Sequence, residues 1–496
     1  MEGITLDITQ EESQSTINVF LFLRMINSNH FTLPICIDIG KALFHETNGS
    51  YKGLEQWKNY IEFLSDDFTL TEICELKYFT FNKSTITHKT IAWYAKEKSS
   101  QDYKKWHKKW IDESFHKCLE VPSVENLTEM FYRKYWLNFV YSNHKTYYYQ
   151  DDGHHWKLLY DGKLSIRNFL INEILIEFEN KEKYFSQSNI KQNIINNDGE
   201  EKLLFLLNNI KKIKNIIYKN TSIINNIQDK FRFENFENIL DKNFQLVGVK
   251  NGVLEIDSSS IQFRYGKPED YLINHISIPY REELNIEHDC VKKYLKYLEQ
   301  VFPNKELMEH MKLDIASFLR YNNDENLIRI IYGKTDSSKS VFIKIIQRAF
   351  GYCCGNFSFS QTKKKRISYE KYHILTFCDL DINQKFDPSV FWEMSQKTKL
   401  LLVVDKMDQM IKNIENTFKC GRIIKIIPFL SNFVDKYPES EEQQYEFKQF
   451  PKNTDYLQNE TIFYLSEAML WCAVQDYSLY CRIGLRNPPN LIREIY

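Results

Sequence analysis

The sequence lacks several features that would assign it to a specialised class of protein. Its ten cysteines form no C-x-x-C pair and no Cys/His cluster with metal-ligand spacing, so we expect reduced thiols inside an intracellular protein. No run of about 18 apolar residues is present, so no membrane-spanning helix is predicted. The acidic, polar start, MEGITLDITQEESQST, is not that of a signal peptide. Glycine is scarce, at 15 residues, beside abundant Ile, Asn, Lys, Tyr and Phe, which indicates an AT-rich genome and no particular function.

An excess of basic charge is also missing. The 65 Lys and Arg residues balance 66 Asp and Glu residues, so nucleic acid would have to be bound by a local patch. Hydrophobic residues at 43% and charged residues at 26% are typical of a globular protein, and the length allows several domains. One compact basic run, QTKKKRISYEK at 361–371, fits a solvated loop, a contact with DNA phosphates or a nuclear-import patch.

The hydrophobic periodicity predicts an α/β protein with helical ends. Apolar runs at 372–378, 400–404 and 423–428 alternate with polar segments, which is typical of an α/β domain with a central sheet. Two strand-like runs flank Asp151-Asp152-Gly153, a hairpin signal. We therefore predict four regions: 1–115 helical, 130–285 mixed α/β, 286–436 α/β with a central sheet, and 437–496 helical.

Three local patterns carry structural predictions. Tyr103, Trp106 and Trp110 recur at helical spacing, which predicts a packing stripe. Asn251-Gly252 predicts a turn between two strands. His154 and His155 lie beside the predicted hairpin turn, and adjacent residues of a strand point to opposite faces, so they are not expected to share a metal.

The stretch RIIYGKTDSSKSVFIKIIQRAFG, residues 329–351, reads as an apolar strand, a polar loop and an amphipathic helix. It matches the phosphate-binding pattern G-x-x-x-x-G-K-[ST] except that a serine replaces the second glycine. The matching residues are Gly333, Lys334, Thr335, Asp336, Ser337, Ser338, Lys339 and Ser340. In such a loop the backbone N–H groups face the phosphates, the lysine reaches the outer phosphates and the hydroxyl ligates Mg²⁺. The alternative is a polar loop with Ser338 as the N-cap of the helix.

A nucleotide site also needs a carboxylate for the metal or for the attacking water. The stretch ILTFCDLD, residues 374–381, is an apolar strand that ends in Asp379, with Asp381 two residues on and on the same side of an extended chain. These two residues are the candidates for both roles. The alternative is a strand that runs into an acidic turn.

Residues 290–435 resemble the superfamily 3 helicases, the hexameric ATPases of viruses and plasmids, and in particular the primase-helicases of poxviruses and other large cytoplasmic DNA viruses. The resemblance extends over nearly the whole chain and is most specific in the stretch NGV…PEDY…IPY and in the ATPase strands. It implies a P-loop ATPase domain, AAA+-like, with a central parallel sheet at 286–436. Residues 1–115 resemble the helical domain that joins primase to helicase, and no primase palm domain is included.

The resemblance also implies roles for single residues. Gly333, Lys339 and Ser340 match the phosphate loop, and Asp379 and Asp381 match the acidic motif. Asp405, at the end of LLLVVD, stands where the family has its sensor asparagine, and Arg422, in KCGRIIKIIPF, matches the arginine that reaches a neighbouring subunit's nucleotide. Without the family, Arg422 would be read as a surface arginine beside a strand.

Three departures from the family pattern bear on activity. Ser338 replaces a glycine, which costs about 1–2 kcal/mol if the position needs positive φ. Asp405 replaces an amide that can donate a hydrogen bond, and like charges about 4 Å apart repel by roughly 4 kcal/mol at an effective dielectric constant near 20. Between FWEMSQ and LLLVVD only Lys397, Thr398 and Lys399 remain, where the family has a longer, DNA-contacting hairpin.

The resemblance therefore implies an ATP-dependent superfamily 3 DNA helicase that uses ATP and Mg²⁺, with activity weakened by these departures. The implied partners are single-stranded or forked DNA, further copies of the chain in a hexameric ring, and a separate primase or polymerase. Such a protein acts inside the cell, in the cytoplasm or the nucleus of the host. The alternative is a catalytically degenerate structural or DNA-binding subunit of a replication complex.

Overall fold

The computed structural model describes residues 14–26, 32–64, 68–81, 86–150, 154–187, 200–257, 259–320, 325, 327–358, 372–378, 393–396, 398–404, 423–485 and 488–495. The chain divides into two compact units. The first comprises residues 1–150, 156–240 and 267–271, and the second comprises residues 151–155, 241–266 and 272–496. The four regions predicted from the sequence stay a prediction.

The first unit is mainly helical, as the periodicity predicts. Its helices are α1 (Gln14–Met25), α2 (Leu33–Glu46), α3 (Tyr51–Leu64), α4 (Phe68–Tyr78), α5 (His88–Lys98), α6 (Ser100–Glu120), α7 (Val124–Tyr135), α8 (Gly162–Phe169), α9 (Ile176–Phe185), α10 (Glu200–Lys219) and α11 (Ser222–Lys230). A π-helical turn, Leu170–Leu175, joins α8 to α9. Apolar faces of α6 to α11 meet in one core around Phe131, Ile174 and Ile213, because each of these helices is amphipathic.

The aromatic stripe of α6 is a packing surface, which confirms the prediction. Tyr103 is buried, and the rings of Trp106 and Trp110 stack with centroids 5.1 Å apart. Phe22 of α1 meets Trp106 edge-on at 4.8 Å. The indole N–H of Trp136 donates to the Tyr103 hydroxyl at 3.1 Å. These contacts fix α6 against its neighbours in the first unit.

A small sheet contains one more turn than the sequence indicates. Its strands lie in the order β1 (Phe139–Ser142), β2 (Lys145–Gln150) and β3 (His155–Leu159). The predicted turn at 151–153 lies outside the described residues. The preceding run, expected as one strand, is divided by a turn at Asn143 and His144, whose φ angles are 47° and 64°. Positive φ at both positions is what a two-residue hairpin turn of type I′ requires.

Residues 267–271, with the sequence KPEDY, belong to the first unit. The Lys267 ammonium lies 2.5 Å from Oδ2 of Asp38 on α2 and 3.0 Å from the Tyr94 hydroxyl on α5. Burial would raise the pKa of Asp38, but the charge of Lys267 and the hydrogen bonds from Lys267 and Tyr94 together with the charge of Lys41 hold that pKa below its usual value. The largely buried ion pair between Lys267 and Asp38 therefore fixes this segment to the helices of its unit.

The second unit begins with a four-stranded sheet. Its strands lie in the order β6 (Ile261–Arg264), β5 (Gly252–Ile256), β4 (Leu246–Val249) and β7 (His275–Ile276). Val249 pairs with Gly252, so the turn is made by Lys250 and Asn251, one residue earlier than predicted. A Cβ atom on Gly252 would lie 2.6 Å from the Arg264 carbonyl oxygen, which explains the glycine at the start of β5.

A central sheet of six strands follows the helices α12 (Asp289–Val301) and α13 (Lys305–Ser317). The strands are β8 (Leu327–Gly333), β9 (Cys354–Ser358), β10 (Ile374–Cys378), β11 (Lys399–Val404), β12 (Ile423–Phe429) and β15 (Arg493–Ile495), in the spatial order β15-β12-β8-β11-β10-β9. The five strands from β12 to β9 are parallel, and β15 pairs antiparallel with β12. The predicted α/β class with a central parallel sheet is confirmed.

Both faces of this sheet are buried, as is typical of parallel sheets. Ile331 faces a core shared with α13, α14 (Lys339–Phe350) and α16 (Asn459–Ile483). Ile328 and Ile330 face a second cluster with residues of β10, β11 and β12. The carboxy-terminal part contains α15 (Glu441–Phe447), α16 and a two-stranded pairing of β13 (Asn432–Val434) with β14 (Gln449–Pro451). Among the described helices, none combines the length and apolar character that crossing a membrane requires.

Candidate nucleotide-binding site

The loop at 334–338 connects the central strand β8 to the start of α14. Gly333 ends β8 and pairs with Phe429 on the neighbouring strand β12. A Cβ atom at this position would lie 2.6 Å from the Phe429 carbonyl oxygen and 2.7 Å from Oγ of Ser337. Only glycine fits this approach, so the first glycine of the sequence pattern has a steric reason in the fold.

Lys339 points back into the loop that precedes it. Its ammonium donates to the carbonyl oxygens of Gly333 at 2.6 Å and Lys334 at 2.8 Å, and it lies 3.3 Å from Oγ of Ser337. Only 6% of the residue is exposed. The charge is therefore held inside the loop, at the amino end of a 12-residue helix whose N–H groups and dipole favour an anion.

Ser338 adopts the left-handed backbone conformation that the missing glycine would adopt readily. Its φ and ψ are 68° and 11°. The residue stands at the N-cap position of α14, as the alternative reading of the loop predicted, although its hydroxyl makes no capping hydrogen bond. The hydroxyl instead lies 3.1 Å from the hydroxyl of Tyr297 on α12. Tyr297 was not singled out by the sequence patterns, because it lies 41 residues away along the chain.

The other loop residues differ in exposure. Lys334, Thr335 and Asp336 are exposed, while Ser337 is buried. Asp336 is also left-handed, with φ of 59°, and its carbonyl oxygen accepts from the Phe433 amide at 2.9 Å. Ser340 is exposed in the first turn of α14, at the position from which its hydroxyl could reach a metal beside the loop.

Two neighbouring strands, β10 and β11, end at the edge of the sheet where the loop lies. Val404, the last residue of β11, pairs with Tyr332, directly before Gly333. Strand β10 ends at Cys378 and runs parallel to β11. The carboxyl ends of parallel strands lie at one edge of a sheet. The candidates that follow these strands in sequence, Asp379, Asp381 and Asp405, themselves lie outside the described residues, so their roles stay predictions.

Arg422 immediately precedes β12 in the sequence and also lies outside the described residues. Ile423, the first residue of β12, pairs with Leu327 at the amino end of β8. The strand that Arg422 precedes therefore starts at the edge of the sheet opposite to the loop. The basic run at 361–371 lies outside the described residues as well.

The shortened connection before β11 is tight in the structure. The Thr398 hydroxyl donates to the Met394 carbonyl oxygen at 2.8 Å, and Lys399 is already buried as the first residue of β11. The Lys399 ammonium donates to the Arg320 carbonyl oxygen at 3.2 Å. Two of the three residues between the flanking motifs are thus engaged in the fold.

A buried ion pair joins β8, the strand that precedes the loop, to α13. Arg329 of β8 donates to the Asp314 carboxylate of α13, with nitrogen–oxygen distances of 2.6–2.8 Å, and both residues are at most 2% exposed. Burial would raise the pKa of Asp314, but the guanidinium outweighs this effect and lowers it. An arginine inside an otherwise apolar strand was the sequence signal for a buried partner, and no role was predicted for it.

The part of the chain that the structure describes contains no group of three or more His, Cys, Asp or Glu side chains placed to hold a metal ion. The rings of His155 and His275 stack with centroids 3.8 Å apart, and His154 is a separate contact of Tyr265.

Comparisons with known proteins agree with the resemblance read from the sequence. Residues 128–303 match the family model described as D5 N terminal like. The chain is 28% identical over 287 residues to "Putative helicase 184R" of Invertebrate iridescent virus 6. The aligned region covers 52% of this chain and 29% of that protein. It is 24% identical over 322 residues to "Putative helicase L207/L206" of Acanthamoeba polyphaga mimivirus, which covers 63% of this chain and 32% of that protein. The matched region is thus about a third of each relative.

A solved structure, the apo A form of the NrS-1 C-terminal region, overlaps 37% of this chain and 45% of its own, with 12% identity and a TM-score of 0.25. Similarity at that level supports no conclusion about fold or function. The sequence relatives and the matched family model confirm the predicted resemblance to the viral primase-helicase type.

Proposed function

We propose that this chain, which carries a D5 N terminal like domain and is related to viral proteins named as helicases, is an ATP-dependent DNA helicase of superfamily 3. The observation that carries the proposal is the strand-loop-helix at 327–350, with the Lys339 ammonium inside the loop and Gly333 against β12. A loop of this kind at a helix amino end is suited to a nucleoside triphosphate.

Each loop residue has a part in the proposed reaction. An incoming phosphate competes with the Gly333 and Lys334 carbonyl oxygens for the Lys339 ammonium, which then bridges loop and phosphate. Ser340 supplies a hydroxyl to Mg²⁺ that arrives with ATP. Thr335, Asp336, Ser337 and Ser338 contribute backbone N–H groups to the phosphates.

The remaining roles rest on the resemblance. The resemblance assigns Asp379 to the metal, Asp381 to the attacking water and Asp405 to the sensor position of the family. Arg422 reaches the nucleotide of a neighbouring subunit, and the start of β12 at the edge opposite to the loop supports a role outside its own site. The chain would then assemble as a ring, a hexamer, on single-stranded or forked DNA, with a separate primase or polymerase as a further partner.

A second candidate function is a catalytically degenerate structural or DNA-binding subunit of a replication complex. Two observations favour it: Ser338 holds a left-handed conformation that favours glycine, and only three residues connect the motifs before β11, where the resembling family has a longer, DNA-contacting hairpin. Measuring ATP turnover with and without single-stranded DNA separates the two candidates. Turnover that DNA stimulates supports the helicase, and ATP binding without turnover supports the degenerate subunit.

Nucleotide binding itself is tested by Lys339→Ala. We expect wild-type chain to bind Mg-ATP in titration calorimetry and the variant to bind at least tenfold more weakly, because it loses a charged phosphate contact worth about 1.5–3 kcal/mol. Lys344→Ala is the matched control, since Lys344 is an exposed lysine on the same helix. Equal affinity of wild type and Lys339→Ala, or no binding by either, would remove the phosphate-loop assignment.

A further inference from the structure

The loop has two residues in the left-handed conformation, and each is held from outside the loop. Asp336 is held through its backbone, because its carbonyl oxygen accepts from the Phe433 amide at 2.9 Å. Ser338 is held through its side chain, by the contact of its hydroxyl with the Tyr297 hydroxyl at 3.1 Å. The two contacts secure both turning points of the loop.

The contact at Ser338 offsets part of the free-energy cost of its left-handed backbone conformation. A non-glycine residue in the left-handed region is disfavoured by about 1–2 kcal/mol relative to its ordinary conformations. Without compensation this cost would favour a different backbone conformation at Ser338 and so a different shape of the loop. A hydrogen bond to the serine side chain is available only because the residue is not glycine, so the replacement and the contact belong together.

Tyr297 is well suited to hold a loop in place. It is fully buried on α12, and its ring meets that of Tyr456 at 5.2 Å with an interplanar angle of 74°. Burial raises the pKa of the phenol, which therefore keeps its proton and can donate to Ser338. The Tyr297 hydroxyl is therefore held by the core at hydrogen-bond distance from the Ser338 hydroxyl, and either hydroxyl can donate.

We infer that Tyr297 is a positioning residue for nucleotide binding, which replaces by a side-chain hydrogen bond the conformational freedom that the missing glycine would provide. This inference rests on the proposed function. It also assigns the Ser338 hydroxyl to the contact with Tyr297 and not to a metal.

A double-mutant cycle measured by Mg-ATP calorimetry on the full chain tests the inference. Tyr297→Phe removes only the phenol oxygen, and Ser338→Ala keeps the Cβ atom but removes the hydroxyl. We expect each to weaken Mg-ATP binding about fivefold, which corresponds to about 1 kcal/mol. Ser338→Gly should bind at least as tightly as wild type, and Tyr297→Phe should have no effect in the Ser338→Gly background.

Tyr294→Phe is the matched control, because Tyr294 is a buried tyrosine on the same helix and makes no hydrogen bond to the described residues of the loop. It should bind Mg-ATP like wild type. Wild-type affinity in Tyr297→Phe, or an equal loss in the Ser338→Gly background, would overturn the inference, since the phenol would then act only through packing.

A second measurement does not depend on nucleotide. Hydrogen exchange of the amides at 334–340 should be faster in Tyr297→Phe than in wild type or Tyr294→Phe, with an unchanged melting temperature. If wild type binds no nucleotide, the proposed function fails, and this exchange comparison still decides whether Tyr297 holds the loop. Unchanged exchange in Tyr297→Phe would overturn the positioning role in either case.

Discussion

Ser338 and Asp405 both stand where the resembling family has another residue, but their physical consequences differ. The Ser338 substitution affects the backbone conformation, because the residue adopts a left-handed φ of 68°. Its hydroxyl forms a hydrogen bond with that of Tyr297. Part of its cost is therefore offset within the fold. The Asp405 substitution concerns charge, because a carboxylate cannot donate the hydrogen bond of an amide. Under the proposed function a charge at the sensor position has the larger effect on hydrolysis, so Asp405 is the residue expected to limit turnover.

At the residue scale we expect Asp405→Asn to raise the rate of ATP turnover. A gain of about 1.4 kcal/mol in transition-state stabilisation would give about tenfold. Ser338→Gly should raise turnover less, because it changes no charge. Steady-state turnover of wild type and both variants makes the comparison. Brisk turnover by wild type that Asp405→Asn slows would mean that the carboxylate is a working ligand or base, and the idea of an impaired site would be wrong.

At the scale of elements, the central strand β8 contributes both to the loop and to a buried ion pair. Its end positions Gly333 at the loop, and its interior carries Arg329, paired with Asp314 of α13 in a setting that excludes water. Buried ion pairs add little net stability compared with apolar residues, but removing one partner leaves an uncompensated charge. The pair therefore fixes α13 against the strand that supports the loop.

We expect Asp314→Ala to destabilise the chain by about 3–5 kcal/mol in denaturant unfolding, because Arg329 would stay buried without its counter-ion. The double variant Asp314→Leu with Arg329→Met should recover most of the loss. Glu309→Ala is the control: its 3.2 Å pair with Lys312 is on the same helix but at the surface, and should contribute less than about 1 kcal/mol. A loss below 1 kcal/mol for Asp314→Ala would show that water reaches the guanidinium.

At the scale of the whole molecule, the proposed chemistry needs more than one chain. Strand β12 begins at the edge of the sheet opposite to the loop, and the sequence places Arg422 directly before it. Under the proposed function this arginine serves the nucleotide of a neighbouring chain. Completing the site from two copies is the physical reason to expect a ring.

We expect light scattering to find an oligomer, a hexamer, when ATP and DNA are present. Lys339→Ala and Arg422→Ala should each abolish turnover, and mixing the two variants should restore part of it, because a mixed ring contains sites with an intact loop and a neighbour's arginine. The control is a mixture of the double variant Lys339→Ala/Arg422→Ala with Arg422→Ala. It should stay inactive, because no chain in that mixture has Arg422. A monomer under all conditions, or no restoration on mixing, would contradict both the ring and the role of Arg422.

The sequence by itself determined the elements whose signals are local. Helical periodicity in residues 1–115, the apolar runs that became β10, β11 and β12, and the strand-loop-helix at 327–350 all follow from neighbouring residues along the chain. The position of Gly333 and Lys339 in the loop follows in the same way, since the pattern spans only a few residues. The aromatic stripe of α6 was predictable for the same reason.

Tertiary structure decided the features that join distant parts of the chain. The spatial order of the strands, the antiparallel addition of β15 and the placement of 267–271 in the first unit depend on contacts that no local pattern encodes. The same holds for the candidate site: the sequence identified Ser338 as a departure, but only the fold brought Tyr297 to its hydroxyl. Periodicity is a property of neighbours in sequence, whereas burial and hydrogen-bond partners are properties of neighbours in space.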